Sequence, residues 1–277
     1  MHPLHPLRHS TARTAAVATG LAAAAALALA TPAGAAGTTT TTAAAGTTTT
    51  TSAGSAAATA KYNAALKAVG VKGVHFSSVA KQSGAELDVS GDAGKTSGAQ
   101  TLVVKSSKAT ERMSALVVGA TGYVKGNEAA LANVIGLTKA ESTKYANRWL
   151  SFPTSNQGLG ELVGGLLSSQ VAKELEIGGP YTLGKSATVA GQSATAINGA
   201  VANDNGGKVP VVLYIPSSGT PLPIQEVTNA GSGGGSSAIH GVVTFSHWGE
   251  NKSQTAPTNA FSLLKLVPAS SGSTTAG

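Results

Sequence analysis

Side chains with the reach for catalysis or metal binding are few in this chain. Beyond the first ten residues the histidines are His75, His240 and His247, and the aspartates are Asp88, Asp92 and Asp204. His240 and His247 lie in one strand-like segment at an odd spacing. A pleated strand sends such a pair to opposite faces, which argues against a shared metal ion. Serine is abundant, but no Gly-x-Ser-x-Gly turn occurs, so no nucleophile elbow is encoded. A hydrolase would have to assemble its Ser, His and Asp from distant segments. Gly94-Lys95-Thr96 matches the end of a phosphate-binding loop, yet the glycine required five positions earlier is Val89. That segment reads as a turn carrying a lysine. The absence of cysteine excludes disulfides, thiolate zinc sites and a cysteine nucleophile. The expectation is a protein that is not an enzyme and uses neither a metal nor a cofactor.

The ends of the chain point outward from the cell. Met1 to Arg13 carries Arg8 and Arg13 and no acid, Thr14 to Ala30 is mostly Ala, Leu and Val, and Ala33-Gly34-Ala35 supplies small residues. This is the order of a secretory signal, so residues 1–35 are expected to be a cleaved leader. The apolar stretch is shorter than the roughly 20 residues of a membrane span. Without a cysteine there is no lipobox, and the exported chain is expected to be secreted or held in the envelope without a lipid anchor. Residues 36–58, almost entirely Thr, Ala, Gly and Ser, cannot bury enough apolar surface to offset chain entropy and read as a disordered tether. Residues 269–277 read as a tail of the same kind. One domain, 59–268, remains, and it is long enough for a substantial core.

The formal charge is +7, and loss of Arg8 and Arg13 leaves +5. The lysines are scattered, with no basic and aromatic interleaving, so no nucleic acid partner is expected. A weak contact with an anionic envelope surface is consistent with the charge.

Periodicity divides the domain into strands, helices, then strands. Thr59 to Val69 reads as a short helix capped by Thr59, with Tyr62, Leu66 and Val69 on one face. Period-2 segments follow through Lys125. Ala85, Leu87 and Val89 alternate with Glu86, Asp88 and Ser90, the pattern of a half-buried strand. Asn127 is placed to cap a helix carrying Leu131, Val134 and Ile135. Thr138 and Glu141 have the spacing of a capping box. Leu159, Leu162, Val163, Leu166, Leu167, Val171 and Leu175 form one stripe of a single long helix, interrupted by Gly164 and Gly165. Strands resume over 181–189, 193–201, 209–215, 222–229 and 238–248. The order argues for an α+β fold, one curved antiparallel half-barrel sheet with helices packed over its concave face. The Leu/Val stripe is either the packed core under that sheet or one wall of an apolar cavity, and the residues alone leave both readings open.

The succession Gly122-Tyr123-Val124-Lys125-Gly126-Asn127, Arg148-Trp149, Leu213-Tyr214-Ile215, Leu222-Pro223-Ile224 and Phe245-Ser246-His247-Trp248-Gly249 resembles the LppX/LprG-type actinobacterial envelope lipoproteins. More distantly, it resembles the LolA/LolB carrier fold. The likeness spans most of Tyr62 to Val267. It departs from the family at the missing lipobox cysteine, and at His247, where Asp is usual. The resemblance implies a monomeric, non-enzymatic carrier or sensor that holds the acyl chains of an envelope lipid or lipoprotein between sheet and helices. In that reading Leu102, Val104, Met113, Ala115, Val117, Leu213, Ile215, Val243 and Phe245 line the sheet side of the cavity. Leu131, Val134, Ile135, Leu162, Val163, Leu166 and Leu167 form the covering wall. The competing reading is a wall-associated protein-interaction or structural module with a filled core.

Overall fold

Alanine favours the helix more than any other residue, and the Ala-rich run before Tyr62 uses that preference. In the computed structural model, which describes residues 51–82, 84–160, 162–202, 207–230 and 239–266, the first helix α1 spans Thr51–Val69. Thr59 therefore does not cap it. Its Oγ1 donates to the Ser55 carbonyl one turn back, at 2.8 Å. Residues 51–58, expected to belong to the tether, are helical, and Ala58 is fully buried. The leader, the tail and the rest of the tether lie outside the described residues.

The strands follow the alternation closely. β1 (Val74–Gln82), β2 (Ala85–Ala93), β3 (Ser97–Lys105), β4 (Thr110–Val118) and β5 (Thr121–Gly126) form a meander. The helices α2 (Glu128–Asn133) and α3 (Lys139–Tyr145) follow, with the caps their sequences encode. The Ala130 N–H donates to Asn127 Oδ1 at 2.9 Å, and Thr138 and Glu141 close a reciprocal capping box. β6 (Leu150–Pro153) returns to the sheet beside β5.

The long helix expected over 155–175 is not continuous. It is broken into α4 (Gln157–Gly160), a 3-10 turn at Gly164–Leu166, and α5 (Ser168–Glu174). The reason is a backbone contact that a regular helix cannot make. The Gly94 N–H donates to the Leu166 carbonyl at 3.2 Å, and the Ser168 N–H donates to the Gly94 carbonyl at 2.8 Å. Those bonds form a one-residue parallel bridge between this segment and the sheet. Glycines around the break lower the cost of leaving helical geometry.

A second meander, β7 (Gly178–Val189), β8 (Gln192–Ala202), β9 (Lys208–Pro216), β10 (Gln225–Ala230) and β11 (Ile239–Ser246), joins the first where β11 pairs with β1. With β12 (Phe261–Ser262), the sheet has, among the described residues, twelve strands in the order β12-β6-β5-β4-β3-β2-β1-β11-β10-β9-β8-β7. Every pairing is antiparallel except β12 with β6. β7 and β12 do not meet, so the sheet is curved but unclosed, an α+β half-barrel.

α1 packs on β7 and against α5, the 3-10 turn packs on β2 and β3, and α2 covers β4 and β5. One residue ties α1 to that cover. The Tyr62 hydroxyl donates to the Leu175 carbonyl at 3.2 Å and accepts from the Ile177 N–H at 2.8 Å. Burial pushes its pKa up to about 12. The ring also packs on Tyr181, with centroids 4.5 Å apart. Tyr62→Phe is expected to lower unfolding free energy by about 1–3 kcal/mol, because the Ile177 N–H is left buried without a partner. Denaturant unfolding of the two proteins measures it.

Candidate functional site

Register places one row of side chains across the helix-covered face. Reading from β4 to β8, Met113, Leu102, Val89, Ser78, Val243, Glu226, Leu213 and Ile197 are successive cross-strand partners. All are buried. A second row runs Val124, Ala115, Gln100, Gly91, Phe76 and Phe245. The broken helical segment lies over these rows. Gln100 Nε2 donates to the Leu162 carbonyl at 3.0 Å. At Gly98 the two backbones nearly touch, since a Cβ there would stand 2.0 Å from the Leu166 carbonyl oxygen.

All sixteen residues expected to line a cavity belong to one apolar cluster between sheet and helices. The sheet residues, with Leu131, Leu162, Val163 and Leu166, are buried within it. Val134, Ile135 and Leu167 are half-buried and pack against it.

Sequence periodicity passed over the polar members of the row. β10 was expected as a strand, but nothing marked Glu226 or Thr228 for attention. A strand written Gln-Glu-Val-Thr is most simply read with Val227 inward. The structure inverts it: Val227 is half-buried, whereas Glu226 is 2 % exposed and Thr228 is 3 % exposed. Pairing decides the matter, because Glu226 stands between Leu213 and Val243, both on the covered face. The signal exists only once the register of three strands is known. Burial first, and then the nearby Glu174 carboxylate of α5, push the Glu226 pKa up to about 8. Glu174 is itself raised by burial, against an opposing pull from Lys173.

The opposite face of the sheet carries a groove that the sequence did not announce. Its volume is about 500 Å³, and its lining includes His75, Asp92, Thr101, Ser114, Trp149 and Thr255. The chain after β11 crosses this face. The Gly249 N–H donates to the Gly73 carbonyl at 2.8 Å, and the Gln254 N–H donates to Ser97 Oγ at 2.9 Å. Lys252 Nζ donates to Asp92 Oδ1 at 2.8 Å, and His75 Nδ1 lies 2.9 Å from the same oxygen. Burial alone would raise the Asp92 pKa. The hydrogen bonds from Lys252 and His75 outweigh it and hold the carboxyl below its usual value.

The histidines are thus distributed differently from the strand reading. His240 is on β11, beside Asn229. His247 lies past the strand end with a φ of 52° and meets His75 edge-on, ring centroids 5.9 Å apart. Among the described residues, no three His, Asp or Glu side chains gather as a metal site. No described helix is long and apolar enough to cross a membrane.

No protein-family model matches the chain, and no curated protein matches it. Solved structures do. LprF from Mycobacterium bovis is 14% identical, with 73% of this chain and 97% of that one covered and a TM-score of 0.46. The Mycobacterium tuberculosis lipoprotein LppX is 17% identical, with 72% and 98% covered and a TM-score of 0.43. MucB is 16% identical, with 78% and 64% covered and a TM-score of 0.35. At these identities the chain is similar to those proteins in fold alone.

Proposed function

We propose that this chain is an exported, non-enzymatic carrier or sensor that takes acyl chains of envelope lipids or lipoproteins between its half-barrel sheet and the broken helical cover. The observation that carries the reading is the cover itself. Over the two mostly apolar rows lie short helical pieces, interrupted between Gly160 and Gly164 and again at Leu167, rather than one regular helix. Lifting such a segment sacrifices few helical hydrogen bonds, and it uncovers a mostly apolar face that runs over many strands. Each CH₂ of a guest chain removed from water then contributes about 0.8 kcal/mol. The sixteen cluster residues would line the guest's path after the cover moves. In this reading the chain leaves the cell through a cleaved leader, remains free of a lipid anchor and acts as a monomer.

The test is mass spectrometry of lipid extracted from the protein purified from its native envelope. The expected result is a stoichiometric acylated species. A ligand-free protein that also fails to bind long-chain probes overturns the reading.

One observation favours a second reading, a wall-associated protein-interaction module. The sixteen side chains already pack against one another, while the groove of about 500 Å³ lies on the opposite face and is lined by polar side chains together with Leu116, Trp149 and Pro257. Capture of one defined envelope protein, dependent on residues 36–50 and unaffected by added lipid, would favour this alternative.

A further inference from the structure

Glu226 and Thr228 place a carboxyl and a hydroxyl on the face of β10 that the helices cover. Among the described residues, the Thr228 hydroxyl has no hydrogen-bond partner. The Glu226 carboxyl feels burial and a second carboxyl, and no cation among the described residues offsets either. Its surroundings explain why. β9 presents Val211 and Leu213, β11 presents Gly241 and Val243, and α5 presents Glu174, with Lys173 acting on Glu174. A buried polar group without a partner costs about 1–3 kcal/mol, more if it is charged. The Thr228 hydroxyl is such a group, and the almost wholly buried Glu226 carboxyl stands about 6.6 Å from it along one strand; together they ask for a ligand group that satisfies both.

We propose that this patch receives the ammonium group of an amine-bearing amphiphile, with Glu226 as its counter-ion, Thr228 Oγ1 as a second acceptor and the alkyl chain lying along the apolar row. The inference rests on the carrier reading and specifies the class of cargo. An anionic head would meet two carboxyls and is rejected. A neutral alcohol can satisfy Thr228 but leaves the Glu226–Glu174 pair unrelieved. An ammonium offers several N–H donors to both side chains and supplies the missing positive charge. Its own desolvation limits the gain in affinity, so the signature is selectivity among heads of equal chain length. Ionisation of Glu226 is coupled to binding. Below pH of about 8 the site must release a proton to pair with the ammonium, which weakens the amine's binding by up to about tenfold per pH unit.

Dodecylamine, dodecanol and dodecanoic acid, each below its aggregation limit, are titrated calorimetrically into the purified protein, its Glu226→Gln variant and its Thr228→Val variant. The wild type is expected to bind the amine at least about tenfold more tightly than the alcohol at pH 8, and to bind the acid least. The preference should shrink toward pH 6 and disappear in Glu226→Gln, whose alcohol affinity is retained; Thr228→Val should reduce it in part. Thermal unfolding of each variant confirms that it is folded, and retained alcohol binding confirms that the interior is intact. Equal amine and alcohol affinities in the wild type, or a preference that survives in Glu226→Gln, overturn the inference while leaving the carrier reading standing. Failure of all three chains to bind the wild type overturns both.

Discussion

Gly98→Ala is expected to destabilise the protein by about 2–4 kcal/mol, through steric strain and lost hydrogen bonds together. The added Cβ would stand 2.0 Å from the Leu166 carbonyl oxygen, 2.9 Å from the carbon of the same group and 2.7 Å from the Asp92 carbonyl oxygen. None of these is the end of a flexible side chain, so relief requires moving backbone. The segment that would move is held to the sheet by the two hydrogen bonds between Gly94 and residues 166 and 168. Displacing it weakens both. Gly164→Ala is the control: an added Cβ there meets nothing within 4 Å, and a change within about 1 kcal/mol of zero is expected. Urea unfolding of the three proteins decides it. Equal stability of Gly98→Ala and wild type would mean that the cover does not touch the sheet at this point. If the cover is a gate for cargo, Gly98→Ala should also release a bound chain faster than wild type.

Raising the pH is expected to weaken the fold through Glu226. In the unfolded chain this carboxyl ionises near its usual value of 4.5, whereas in the native protein burial holds it protonated up to about 8. Between these values the native state binds a proton that the unfolded state has released. Stability contributed by this group is therefore fully present below about pH 4.5 and is lost as pH rises through about 8. The loss across that window is at most about 4 to 5 kcal/mol, and relaxation of the site or water entry would reduce it. Glu174, raised in the same direction, adds to the trend. Glu226→Gln removes the titrating group while keeping its shape, so its stability should vary much less over the same range. Denaturant unfolding at pH 5, 7 and 9 measures both slopes; parallel slopes for wild type and Glu226→Gln would show that Glu226 is not the buried acid responsible.

Both expectations concern contacts that a linear reading passes over. Gly98 sits in a strand that alternation identified correctly, but nothing local says that another backbone presses on it. In the sequence Gly164 and Gly165 interrupt one apolar helical stripe. They mark a real break, whose cause is the bond to Gly94, far away in sequence. Thr59 has the chemistry of a cap, yet its hydroxyl bonds within the helix because the alanines before it continue the turn. Where a signal is complete within a few residues, as at Asn127 and at the Thr138–Glu141 box, the structure follows it. The interior residues chosen from strand and helix patterns fall in one cluster for the same reason: apolar periodicity is local, and burial of one face follows from it.

What lay in the sequence alone was therefore the class and order of the elements: an α+β chain with antiparallel strands, a helical middle, and apolar side chains that had to share an interior. Short-range propensity and period determine these, and neither depends on a distant partner. Tertiary structure alone decided how the first meander joins the second through β1 and β11, how the cover bends to meet Gly94, and that Glu226 and Thr228 face inward beneath it. Each of these depends on the register between strands remote in sequence. A shift of one residue would exchange the two faces of β10 and put its carboxyl in water.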